Sequence, residues 1–134
     1  MKKFFLIYFV TTFAVFAQFG QNKVQYRNHT WYYVKTSHFD VYFDDRGFKI
    51  ADFAVKAAED ALASIEHDLQ YKIQNRIPII LYDSHNEFQE TNTTSGFLGQ
   101  GTGGFTEPFK NRVVFPFDGS YQKYRHVIHH ELVH

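Results

Sequence analysis

The residues His130-Glu131-Leu132-Val133-His134 put two histidines four positions apart, with a glutamate directly after the first. On a helix each residue advances about 100°, so these two imidazoles lie within about 40° of one another, one turn apart. At that pitch both can reach a single Zn²⁺ at about 2.0–2.1 Å. Glu131 falls about 100° round from His130, at the edge of the same face. There it can touch a water activated by the metal without ligating the metal itself. Zinc lowers the pKa of such a water toward neutrality, and the carboxylate takes its proton as the water attacks a carbonyl. The chemistry this spacing serves is metal-assisted hydrolysis, with His130 and His134 as ligands and Glu131 as base.

A neighbouring pair, His126 and His130, has the same spacing, but no glutamate follows the first histidine. His126 is therefore read as a supporting or surface residue. The chain contains no cysteine, so thiolate zinc sites, disulfides and cysteine nucleophiles are excluded. A formal net charge of zero offers no basic field for nucleic acid.

A metal site needs an anchored helix. Residues 121–134 read as one, with Asp118 or Ser120 available to cap it. Tyr121, Tyr124, Ile128 and Leu132 form an apolar stripe roughly opposite His130. Residues 48–72 read as a longer amphipathic helix, with Ile50, Ala54, Ala57, Ala61, Ile65 and Leu69 at three- or four-residue spacing. Residues 31–43 are aromatic and β-branched. Phe39, Val41 and Phe43 alternate with polar neighbours at strand period, and residues 44–47 make the turn that ends the strand. Residues 76–82 form a short apolar strand with Pro78 near its start. Ser84 and Glu87 match a capping box for a short helix over 85–92. A glycine-rich loop covers 95–104, and two strands flank a turn over 108–111. The order is β-α-β-α-β-β-α. It predicts an α+β fold, a mixed sheet with helices packed on it.

The hairpin strand invites a second assignment. Gly103-Gly104-Phe105-Thr106-Glu107 precedes the histidine helix by about the length of one hairpin. An edge strand beside a hydrolytic helix can bind a peptide backbone by strand addition, and small glycines would let it approach. Gly103, Gly104, Phe105 and Glu107 are the substrate-binding candidates.

The N-terminus has the pattern of a processing segment. Lys2 and Lys3 precede a 13-residue run over 4–16 that only Thr11 and Thr12 interrupt, and Ala17 ends it. The run is short of the ~20 residues that span a bilayer as a helix. Residues 1–17 are read as a signal peptide and 18–30 as a short polar leader. The mature protein is expected in the periplasm, the cell envelope or the medium.

The segments HFDVYFDD, RIPIILYDSHNEFQETN, GGFTEP, NRVVFPFDGSY and RHVIHHELVH follow one another in that order. Together, over about residues 31–134, they resemble the peptidase-MA-like domain of exported bacterial proteins, a gluzincin-type zinc metallopeptidase family. The resemblance implies a zincin-like N-terminal lobe ending in the active-site helix. It implies Zn²⁺ held by His130 and His134, and Glu131 as catalytic base acting on a peptide or protein. "GGFTE" is loosely similar to the Gly-x-Met-Glu-Asn strand of zinc aminopeptidases, without its methionine and asparagine. Gluzincins take a third ligand, a glutamate, and an oxyanion-steadying Tyr or His from downstream segments. The sequence closes on His134 without them. The expectation is the truncated N-terminal lobe of a longer enzyme, inactive alone, its C-terminal lobe and any β-propeller region missing. A rival reading makes the domain a non-catalytic envelope scaffold, and a third makes the histidines a chance tail on a small secreted domain.

Overall fold

The computed structural model describes residues 23–94 and 98–134. The signal segment, the first part of the leader and positions 95–97 of the glycine-rich loop lie outside the described residues. Five strands and three helices follow in chain order. They are β1 (Trp31–Lys35), β2 (Phe39–Asp44), α1 (Phe48–Leu69), β3 (Ile77–Tyr82), α2 (His85–Gln89), β4 (Phe105–Glu107), β5 (Arg112–Pro116) and α3 (Tyr121–Val133). The architecture is α+β, a mixed sheet with helices packed on it.

The strands form one sheet in the order β1-β2-β3-β5-β4. The inner strands β2, β3 and β5 run parallel. The edge strands β1 and β4 run antiparallel to their neighbours. Side chains alternate across a strand, so each strand serves two layers. On β3, Ile77, Ile79 and Leu81 join Phe39, Val41, Val113 and Phe115 in the main core under α1 and α3. Ile80 and Tyr82 face the other way, toward Val114 and Phe88 of α2.

The stripe read from α1 is buried from Ile50 to Ile65, with Ala54 fully enclosed, but Leu69 at the last turn is exposed. Its alanines let α3 approach closely. Within α3, Tyr124, Ile128 and Leu132 are buried, whereas Tyr121 is 44% exposed and packs at a tilt against Phe53 and Phe117.

Three expectations change. Residues 31–43 are two strands rather than one, because the chain reverses at Thr36–His38. Thr36 Oγ1 accepts the Phe39 N–H at 3.0 Å, and Arg76 reaches across to the Thr36 and Ser37 carbonyls at 2.6 and 3.0 Å. The element order is therefore β-β-α-β-α-β-β-α. The long helix stops at Leu69 rather than 72. Gln70 takes a left-handed conformation (φ 52°), and the Glu66 carboxylate accepts the Ile73 N–H at 2.8 Å. The short helix ends at Gln89 rather than 92, and its capping box is half made. Ser84 Oγ accepts the Glu87 N–H at 3.3 Å, but the Glu87 carboxylate turns to Arg27 and Arg46.

Pro78 lies in a central strand without leaving a gap. The Ile77 N–H points to β2, where the His38 carbonyl accepts it at 2.9 Å. Position 78 therefore faces β5, whose pairing begins only at Ile79.

Candidate metal and hydrolytic site

Ser120 starts α3 by accepting the Lys123 N–H at 3.4 Å, and Asp118 accepts the Ser120 N–H at 2.9 Å. With Tyr124, Ile128 and Leu132 buried, the helix cannot roll, and its outer face carries His130 and His134. Their Nε2 atoms stand 3.4 Å apart, with the ring planes near perpendicular at 85°. Two nitrogens about 2.05 Å from a tetrahedral centre are separated by about 3.3 Å. The observed spacing fits a shared zinc ion.

Glu131 is half-buried, between α3 and the edge strand β4. The Thr106 hydroxyl stands 2.9 Å from its Oε2 and 2.9 Å from its backbone carbonyl. A carboxylate only accepts, so the single hydroxyl proton is shared between these two oxygens. A cavity of about 270 Å³ opens beside Glu131 and His134, with apolar walls from Leu62, Ile65, Ile77 and Val113.

The four substrate-binding candidates have different surroundings. A side chain at Gly103 would meet Val127 at 3.0 Å. One at Gly104 would meet Phe115 at 2.9 Å and Glu131 Cγ at 3.3 Å. The missing side chains of these glycines let α3 pack against the chain just before β4, and Gly103 also lines a cavity of about 120 Å³ beside Tyr124 and Val127. Phe105 packs on Phe88, ring centroids 5.6 Å apart, on the sheet face away from the histidines. Glu107 shares that parity and is neutralised by Arg112 and Lys110. Strand alternation turns Thr106, between them, toward Glu131. Thr106 is the site residue that the sequence reading missed. The signal was its position one step from Glu107, with the opposite parity.

Two other features compete for attention. A depression of about 720 Å³ lies on the opposite sheet face, lined in part by Trp31, Tyr42 and Tyr82. Two of its polar side chains are engaged: Asn92 bonds the Lys23 backbone twice, and Arg112 holds Glu107. His29, Asp44 and Glu87 bring ligand atoms within 4.8 Å of one another, the one such group of three among the described residues. Arg27 and Arg46 enter the same cluster and pair with Asp44 and Glu87. Two guanidinium groups there oppose a cation, and the cluster instead ties the segment 23–30 to the sheet. His29 is part of that tie, 3.2 Å from Asp44.

Comparison with protein-family models, with curated proteins and with solved structures finds no match to this chain. Among the described residues no helix is long and apolar enough to cross a membrane.

Proposed function

We propose that this domain is the N-terminal catalytic lobe of an exported zinc-dependent peptidase. The observation that carries the reading is the 3.4 Å separation of the His130 and His134 Nε2 atoms, on a helix whose next residue, Glu131, faces an edge strand. Zinc held by this pair would supply Lewis-acid polarisation of a peptide carbonyl and acidify the attacking water. A catalytic zinc takes three protein ligands. The third is expected from a further segment packed against the cleft.

The chain's own groups divide the remaining work. Glu131 accepts the proton of the attacking water on its carboxylate and passes it to the leaving amine. The outer edge of β4 pairs with no strand among the described residues, so its backbone can hold an extended peptide by strand addition. The apolar cavity beside Glu131 has room for one aliphatic or aromatic side chain of that peptide.

The test separates ligand from base. In the protein extended to supply the third ligand, Glu131→Gln should retain bound zinc and lose hydrolysis of a mixed peptide pool. His130→Ala and His134→Ala should lose both. Hydrolysis that survives in Glu131→Gln removes the proposed mechanism.

A further inference from the structure

We infer that Thr106 is a positioning residue for Glu131, holding its carboxylate on the β4 side of the cleft. The inference rests on the hydrolytic reading above. Thr106 Oγ1 lies 2.9 Å from Glu131 Oε2 and 2.9 Å from the Glu131 carbonyl, so one hydroxyl grips both ends of the residue. A glutamate has three side-chain torsions, and a half-buried one with no such partner would sample several. Gly104 completes the clamp from the other side. A Cβ at this position would stand only 3.3 Å from Glu131 Cγ, so the missing side chain leaves room for the Glu131 stem. β4 is itself held by antiparallel pairing with β5 and by the ion pair of Glu107 with Arg112. The carboxylate is thus fixed by a strand that is not part of its own helix.

Position matters because proton transfer needs hydrogen-bond distance to the reacting water. A displacement of about 1 Å can cost about a hundredfold in rate. Serine keeps the hydroxyl at this position, whereas valine keeps the shape and removes it.

Zinc-loaded wild type, Thr106→Ser, Thr106→Val and Glu131→Gln, each in the protein extended to supply the third ligand, form the comparison set. Thr106→Val should lower kcat about ten- to a hundredfold with KM within about twofold. Thr106→Ser should restore most of kcat. Zinc content should be the same in all four. A second readout needs no turnover. In protein labelled with [¹³C]glutamate, the side-chain carboxyl resonance that vanishes in Glu131→Gln should shift in Thr106→Val and stay in place in Thr106→Ser. If Thr106→Val does not fold, Thr106→Ala carries the same comparison. Wild-type kcat and an unmoved resonance in Thr106→Val overturn the inference, as does an equal loss in the serine and valine variants. Should Glu131→Gln itself retain hydrolysis, the base assignment fails, while the resonance still decides whether Thr106 holds the carboxylate.

Discussion

His130 and His134 point their Nε2 atoms at one another across 3.4 Å, one helical turn apart. Both rings are exposed, so nothing in the packing forces this approach; the i, i+4 spacing produces it. Titration with Zn²⁺ or Co²⁺ should show binding that weakens at least about tenfold in His130→Ala and in His134→Ala, each removing one of few ligands. His126→Ala should bind as wild type does. An equal loss in His126→Ala would move the metal to the His126–His130 pair.

Arg76 pins the β1–β2 hairpin. Its guanidinium donates to the Thr36 and Ser37 carbonyls and to Asp40 Oδ1, the last at 2.9 Å. Hydrogen bonds to a charged group contribute about 1.5–3 kcal/mol each at most, and several here share one side chain. Arg76→Ala should lose about 2–3 kcal/mol in urea unfolding. Arg76→Lys should recover only part, since a single ammonium cannot reproduce the planar fork. The same guanidinium holds the Asp40 carboxyl below its ordinary range. A depressed carboxylate stabilises the fold above its ordinary titration and loses that effect as pH falls through the lower, folded value. Arg76→Ala should therefore remove part of the acid sensitivity. An unchanged urea midpoint would show that the hairpin does not need the clamp.

Glu87 predicts the opposite slope. Burial first, and then the neighbouring Asp83 carboxyl, push it from 4.5 up to about 6, against the pull of Arg46. Between those values the folded chain keeps a proton that the unfolded chain has released. Stability should therefore fall as pH rises through this window, by about 1–2 kcal/mol, and level off above it. Glu87→Gln should flatten that step. Urea midpoints from pH 4 to 8 read it directly, and a step that persists in Glu87→Gln would assign it to another group.

Tyr124 is buried to 2% exposure, and its hydroxyl has no hydrogen-bond partner among the described residues. Burial alone pushes the phenol above its ordinary range. An unpartnered buried hydroxyl is destabilising, so Tyr124→Phe should gain about 1 kcal/mol while keeping the ring contacts with Phe115 and Phe117. A loss of stability in thermal unfolding would mean that the hydroxyl is satisfied.

The elements that were readable in advance are those whose signals are local. In the α1 stripe, Ile50, Ala54, Ala57, Ala61 and Ile65 repeat at helical period and are buried, whereas Leu69, at the helix end, is exposed. The cap at Ser120 and the pair His130–His134 lie within α3 or beside its first residue, so their geometry follows from helix pitch. The turn within residues 31–43 escaped notice because its stabiliser, Arg76, is 40 residues from Thr36 in sequence. The end of α1 depended on Glu66 and a left-handed Gln70, which helix periodicity cannot foresee.

The same division holds at the site. Residue order alone set the two imidazoles one turn apart with a glutamate beside them, because a helix converts sequence spacing into a fixed angle. Only the tertiary structure decided what stands opposite Glu131. Thr106 is 25 residues away, and it arrives there through the β4–β5 pairing and the packing of α3 on the sheet. Glu107, a candidate for its place on the strand before the histidine helix, is turned to the other face by the pleat and paired with Arg112. Strand parity and sheet position are long-range properties, fixed when the core closes and invisible until it does.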